Sequence, residues 1–386
     1  MVLPLRNPDV ESGQYFIDQI LECVSPAVNH IVVVTGNYHS RVVSDKVEVV
    51  NVKAPIVRSK NESSWSKAWR LFLAQFKLSA AVIAHRKEFE ILLLYLFAPY
   101  LVFPATLCRL MGKRIVLVPT GSDSQSIGSM YTGVKGNIYR TTVRAFEVLV
   151  YSLSDYIVVV SDAMISTLGL QKFRPKVISG VGNSRLGGSV GYVDTDAFSI
   201  KRTWRDRADV VGYLGRLSAE KGILQFVGSI PLILKCQPNA RFLIVGDGDL
   251  MAEAKSRLED SNCLGNVEFA GLIPHDQVPE FLNRMKFLVV PSYTEVFAGA
   301  ALEAMSCGTV CLTAKVGAAE DFIVDGENGF LLKDNAPSTI SSRLLQVWQD
   351  PTLEDVEIRA RSWIESNFTK PRLIDRWIAV FDRVCG

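Results

Sequence analysis

Pro291-Ser-Tyr-Thr-Glu295-Val-Phe297-Ala298-Gly299-Ala-Ala-Leu-Glu303-Ala-Met-Ser-Cys-Gly308 is the stretch that decides the fold. The apolar run Phe287–Val290 leads into it and reads as a strand. The small residues from Ala298 to Met305 predict a buried helix. On a helix, positions eight apart lie only about 80° apart around the axis, so Glu295 and Glu303 are expected on a similar face, one at the helix mouth. The unpaired N–H groups at such a mouth, with the helix dipole, attract an anion. Two hydroxyl acceptors with a phosphate cradle between them suit a nucleotide bearing a sugar. Glutamate is usually a solvated surface residue. Here the neighbours are Phe, Ala, Gly, Leu and Met, which argues against a wet face.

Further upstream, Val210-Val-Gly-Tyr-Leu-Gly215-Arg216-Leu-Ser-Ala-Glu220-Lys221-Gly222 reads as a strand, a loop and a helix start. Arg216 offers a planar fork and Lys221 a point charge, and both suit a diphosphate. A lysine at a helix start is disfavoured by the dipole unless an anion is present. Phe242-Leu-Ile-Val-Gly246-Asp247-Gly248-Asp249 runs a buried strand into a glycine turn, where open α/β sheets hold nucleotides. Asp249 reads as a helix N-cap.

Together these segments resemble the Glu-x7-Glu, Gly-Arg-x4-Lys-Gly and Val-Gly-Asp-Gly motifs of retaining nucleotide-sugar glycosyltransferases of family 4, with the GT-B fold. The resemblance implies an α/β architecture: two Rossmann-like doubly wound domains facing a central cleft, the last helix crossing back to the first domain. It implies that Glu295 meets the donor sugar, that Glu303 meets the ribose, and that the backbone of Phe297, Ala298 and Gly299 meets the diphosphate. Arg216 and Lys221 would neutralise the leaving group. Gly215, Gly246, Asp247 and Gly271 (in Phe269-Ala-Gly-Leu-Ile-Pro274) would line the donor site. Glu320, in a turn like the family's Gly-Gly-x-x-Glu, either touches the sugar or caps a helix.

In the first half the likeness is thinner. Gly13 stands where the family has a Gly-Gly turn near the diphosphate. Pro119-Thr120-Gly121-Ser122-Asp123 resembles the family's Gly-Ser-Asp turn, with Thr120 where many members carry a histidine. Asp123 is the candidate for orienting the acceptor or taking its proton, with a plain turn aspartate as the alternative.

The pattern elsewhere agrees. Short apolar runs alternate with longer helical stretches, the mark of α/β units. Expected strands are 31–35, 47–52, 91–95, 115–118 and 156–160, then 210–213, 242–245, 267–269, 287–290, 310–313 and 330–332. The glycine-rich stretch from Ser179 to Lys201 predicts a hinge. The domains are expected at 1–192, completed by a C-terminal helix 370–386, and at 193–369.

The 386 residues carry a net charge of +2. Residues 1–200 hold 21 Lys/Arg against 15 Asp/Glu and the rest 21 against 25. Fourteen of the basic residues and only five acidic ones fall in 51–150, so the positive charge is local. Seven cysteines form no Cys-x-x-Cys pair, and with four histidines no zinc pattern emerges. Asp-x-Asp at Asp247 and Asp249 is too short to argue for metal. No cofactor beyond a UDP-, GDP- or ADP-sugar co-substrate is expected, and no nucleic acid. Pro4, Arg6 and Asp9 do not read as a signal peptide, so a cytoplasmic enzyme is expected, with a glycan or lipid-linked acceptor.

Trp65, Trp69, Phe72 and Phe76 recur on one helical face, and Lys60, Lys67, Arg70 and Lys77 accompany it. The 60–78 segment therefore suits an interfacial helix on anionic lipid, or a helix whose aromatics pack on a sheet while its cations snorkel. The charge-free run 91–108 is interrupted by Pro99 and Pro104 and is not expected to span a membrane. Two rivals remain: a catalytically inactive scaffold that keeps the nucleotide pocket, and a nucleotide-sugar epimerase.

Overall fold

The computed structural model describes residues 1, 11–35, 44–52, 64–95, 101–119, 121, 124, 133–179, 191–295 and 297–386. The chain divides into two compact units, Met1–Tyr192 with Leu373–Gly386, and Val193–Arg372.

In the first unit β1 (Ile31–Thr35) pairs in parallel with β2 (Val47–Asn51). A four-stranded parallel sheet follows in the order β3-β4-β5-β6, formed by β3 (Ile91–Tyr95), β4 (Arg114–Val118), β5 (Tyr156–Val159) and β6 (Val177–Ser179). These strands are runs of Ile, Leu and Val buried on both sides, as parallel sheets require. Sequence reasoning missed β6, which is three residues long and lies between a short 3-10 helix and the glycine-rich stretch. The helix Lys370–Cys385 buries Leu373, Trp377, Val380, Phe381 and Val384 along one stripe, and the Tyr156 hydroxyl donates to the carbonyl of Arg383 at 3.2 Å. The expected hinge glycines from Gly180 to Gly188 lie outside the described residues, as do Thr120 and Asp123.

The second unit is a six-stranded parallel sheet, ordered β12-β11-β10-β7-β8-β9. Its strands are β7 (Val210–Leu214), β8 (Arg241–Val245), β9 (Val267–Gly271), β10 (Phe287–Val290), β11 (Val310–Ala314) and β12 (Phe330–Leu332). The chain builds outward from β7 to β9, then returns to lay β10 against the free side of β7 and builds outward again. Order therefore reverses between β7 and β10, the kind of switch point at whose carboxyl ends open α/β sheets hold their ligands.

At the opposite pole, Arg207 ties the strands together. Its side chain is buried and donates to the carbonyls of Arg202 (2.9 Å), Met285 (2.8 Å) and Cys307 (2.5 Å) and to the Thr309 hydroxyl (2.9 Å). Met285 and Thr309 sit just before β10 and β11, and Arg207 just before β7. Glu357 lies 3.8 Å away. Burial dominates both ends of that pair, pulling the guanidinium pKa down and the Glu357 pKa up. The stabilising effect therefore rests on the satisfied carbonyls rather than on the ion pair. Replacing Arg207 with Ala strands those acceptors and leaves Glu357 buried without a counter-charge. The second unit should lose about 3–5 kcal/mol, read as a lowered urea midpoint for its transition. A loss under about 1 kcal/mol would remove this role.

Candidate functional site

The site is built from loops at the carboxyl ends of β7 to β11. After β7 comes Gly215, whose N–H donates to the Val245 carbonyl at 3.0 Å. The chain then turns through a 3-10 helix, Ala219–Lys221, into the helix Ile223–Cys236. Tyr213 pins this turn: its hydroxyl reaches the carbonyls of Arg216 (2.9 Å) and Lys221 (3.3 Å). Burial, reinforced by the Glu295 and Glu220 carboxylates, pushes the Tyr213 pKa well up, so the hydroxyl remains a donor.

Two close backbone approaches hold neighbouring loops together. Gly222 has φ +71°, and a Cβ there would stand 2.0 Å from the Pro291 carbonyl oxygen in the loop after β10. Gly246 (φ +128°) would place a Cβ 2.0 Å from the Gly215 carbonyl oxygen. Its own N–H donates to the carbonyl of Gly271, at the end of β9, at 2.8 Å. The Tyr293 N–H donates to the Glu220 carbonyl at 2.8 Å, so the β7 and β10 loops are bonded as well as packed.

This approach brings two charges from sequence-distant loops together. Lys221 Nζ donates to Glu295 Oε1 at 2.6 Å, and the Ser292 hydroxyl donates to the same oxygen at 2.8 Å. Glu295 Oε2 has no partner among the described residues. Arg216 reaches Glu220 at 3.5 Å, with a side chain 66% exposed. The expected anion for Lys221 is thus supplied by the protein itself.

Glu295 precedes the helix Gly299–Ser306 instead of lying on it, so the eight-residue helical spacing does not relate the two acids. Only Glu303 is helical. The helix is entered through Ala298 at φ +51°, a left-handed conformation that costs a non-glycine residue of the order of 1–3 kcal/mol. Strain therefore sits where the first N–H groups of the helix become available. The Phe297 ring packs on Phe368, with centroids 5.8 Å apart.

Glu303 is met by a residue that sequence reasoning passed over. His275 Nε2 lies 2.8 Å from Glu303 Oε1, and its ring stacks near Phe198, 5.4 Å between centroids. The only signal was position, since His275 directly follows Pro274 at the end of the Gly271 loop. Burial lowers the His275 pKa, but the hydrogen bond and charge of Glu303, with Asp276, outweigh it and hold it above the usual imidazole value.

The remaining candidates are placed as follows. Asp247 is exposed, and its Oδ1 accepts the Gly248 N–H at 2.7 Å, which shapes the turn. Asp249 is not the N-cap of the next helix; Leu250 is, with no side-chain cap bond. Glu320 does not cap its helix either but pairs with Lys315 at 3.3 Å. Gly13 lies in the first turn of the helix Glu11–Val24. Among the described residues one set of potential metal ligands does converge, Glu48, His85 and Glu88 of the first unit, and it includes the local His85–Glu88 pair at 2.9 Å. No sequence spacing would have shown it.

Comparison with known proteins bears on this loop-built crevice. Residues 194–366 match the family model for glycosyl transferases group 1. A curated relative, the 2-deoxystreptamine glucosyltransferase of Streptomyces kanamyceticus, is 27% identical over 46% of this chain and 46% of its own length. The chain thus spans about half the length of that relative. Among solved structures, sucrose-phosphate synthase from Thermosynechococcus elongatus superposes with a TM-score of 0.76 at 17% identity, covering 99% of this chain and 98% of that one. The Anabaena protein HepE, in complex with UDP, gives 0.72 at 18% identity over 99% of both chains. These likenesses show the fold, which is GT-B.

Two expectations follow. Gly222→Ala should force the β7 and β10 loops apart and destabilise the second unit by at least about 1 kcal/mol, read as a lowered urea midpoint, while the far-UV spectrum stays unchanged; an unaltered midpoint would show that the approach is dispensable. The His275–Glu303 pair should stabilise the fold fully below the unfolded imidazole pKa of about 6.5 and cease to do so as pH rises through the raised folded value. The difference in melting temperature between wild type and His275→Gln should therefore shrink from acid to alkaline pH. A pH-independent difference would exclude the ion pair.

Proposed function

We propose that the chain transfers a hexosyl group, with retention, from a nucleoside diphosphate sugar to an acceptor hydroxyl on a glycan or a lipid-linked sugar. The observation that carries this reading is the Lys221–Glu295 pair at the reversal point of the second sheet. A cation and a sugar-grade acceptor are held there beside a helix start. Arg216, largely exposed, swings to the diphosphate together with Lys221. The backbone at Phe297, Ala298 and Gly299 takes its remaining oxygens. Glu295 Oε2 accepts from a sugar hydroxyl and Glu303 from the ribose. UDP is the first nucleotide to test, because the GT-B neighbour HepE is described with UDP and with UDP-glucose.

In the reaction the bond between the anomeric carbon and the β-phosphate oxygen breaks, and its electron pair stays on that oxygen. The cations and the helix start stabilise the charge that develops, a type of effect worth roughly 10²–10³ in rate per contact. The acceptor oxygen bonds to the anomeric carbon on the same face, and its proton passes to the departing phosphate oxygen. Asp123 is the residue proposed to orient the acceptor. Arg216 and Lys221 would supply the positive charge on the diphosphate, and transfer is expected to proceed without a metal.

Product formation from UDP-, GDP- and ADP-sugars, with and without EDTA, tests the reading. Glu295→Gln should lose transfer by roughly 10²–10³ with nucleotide affinity largely kept, and Arg216→Ala should lose both. Absence of both transfer and slow donor hydrolysis in the wild type would instead favour the inactive scaffold, to which Thr120 in the expected histidine position lends support. Conversion of the donor without acceptor would favour the epimerase.

A further inference from the structure

We propose that one face of the first unit docks on an anionic lipid bilayer through three adjacent helices. This does not rest on the donor reading. Helices Ser64–Ala84, Val102–Leu110 and Gly133–Leu153 pack side by side in sequence. Parallel strands of one sheet are joined by right-handed crossovers almost without exception, which puts the helices between β3 and β4 and between β4 and β5 on one face.

The first of these helices is apolar on opposite sides. Ala74, Leu78 and Val82 point inward and are buried. About half a turn away stand Trp69, 62% exposed, Phe72 and Phe76, 61% exposed. The alternative expected from sequence, aromatics packed on the sheet, does not hold for these three rings. They are not scattered. Phe72 lies 5.6 Å from both Trp69 and Phe76, and Phe103 of the next helix meets Phe72 edge-on at 5.7 Å. On the third helix Ile138 and Phe146 are exposed at helical spacing, while Val143 and Val150 are buried. An aromatic surface of this extent on a folded unit marks an interaction face.

Charge selects the occupant. By sequence the three helices carry seven Lys/Arg and one carboxylate, Glu147, which is buried and accepts from the Ser124 N–H and hydroxyl and from Arg144. Arg109 pairs with Asp155, while Lys77 and Arg140 stand exposed. A second copy of this chain laid on the same face would set cations against cations. A bilayer with anionic headgroups matches them and accepts the rings at the headgroup boundary. Among the described residues no helix is long and apolar enough to cross a membrane, so the contact is made from one side.

Co-sedimentation with phosphatidylcholine–phosphatidylglycerol vesicles, against phosphatidylcholine alone, tests the proposal. Wild type should bind the anionic vesicles and release as salt rises past the point where the Debye length falls under about 8 Å. Trp69→Ser/Phe76→Ser should cut binding roughly tenfold or more, and Lys77→Glu/Arg140→Glu should do the same. Each should melt as wild type does. Ile358→Ser, an equally exposed apolar residue of the second unit, should change nothing. The proposal is overturned by wild type that ignores anionic vesicles, or by equal loss in Ile358→Ser. It is also overturned by a dimer in sedimentation velocity that Phe76→Ser dissolves, which would assign the face to a second copy. Donor hydrolysis in free solution should be unaffected by every variant, so failure here leaves the transfer reading standing.

Discussion

The reversal of strand order between β7 and β10 is the constraint from which the rest of the second unit follows. Parallel strands joined by right-handed crossovers send their loops to one side while the sheet grows in one direction. When growth switches direction, the two central loops part and backbone groups at their roots lose neighbours. A crevice forms without any side chain being removed to make it. What this protein adds is control of how far the loops part. Gly222 lies against the Pro291 carbonyl and Gly246 against the Gly215 carbonyl, both with positive φ. A methyl group at Gly222 would push the β7 and β10 loops apart and lengthen the reach from Lys221 to Glu295, while one at Gly246 would separate the β8 loop from the β7 loop.

The two poles of the same sheet are stabilised in different ways. At the amino ends Arg207 gives its hydrogen bonds to carbonyls that frame the starts of β7, β10 and β11. It is buried and its acceptors are fixed. At the carboxyl ends the charged groups keep part of their hydrogen-bonding capacity in reserve. Lys221 is partly buried, Arg216 is mostly exposed, and Ala298 holds a strained conformation before the helix Gly299–Ser306. Rigidity at one pole lets the other carry polar groups and strain that would be costly in a looser frame.

Much of this fold was legible because parallel strands are short apolar runs and their turns are glycine-rich. β1, β3, β10 and β12 were bounded to the residue, and the other expected strands differ from observation by one or two residues at an end. β6 escaped because three residues beside a glycine-rich stretch carry no periodicity. The chemical residues Arg216, Lys221, Glu295 and Glu303 were visible through spacing, but their partners were not. Nothing local links Lys221 to Glu295, 74 positions away, or His275 to Glu303. Helical geometry was also carried too far: Ala298 breaks the helix, so Glu295 stands in a loop where the eight-residue spacing has no angular meaning. The aromatic stripe was visible as a face, yet periodicity alone does not say whether a face is covered. That depends on what the rest of the unit places over it.

Under the proposed transfer, the Lys221–Glu295 pair is not a lock that donor binding must break. An ammonium has three donors, and Glu295 uses one of them. Both contacts to Glu295, from Lys221 and from Ser292, fall on Oε1. Oε2 is left for a hydroxyl, and two N–H donors of Lys221 are left for phosphate oxygens. A diphosphate sugar can therefore join the pair with its bond intact. An anion arriving at Lys221 meets the repulsion of the glutamate, but its own sugar hydroxyl donates to that carboxylate and offsets it. A nucleoside diphosphate without the sugar meets the repulsion alone. Under the proposed transfer, the pair would hold each group in place before the donor arrives and would favour the intact donor over the spent nucleotide.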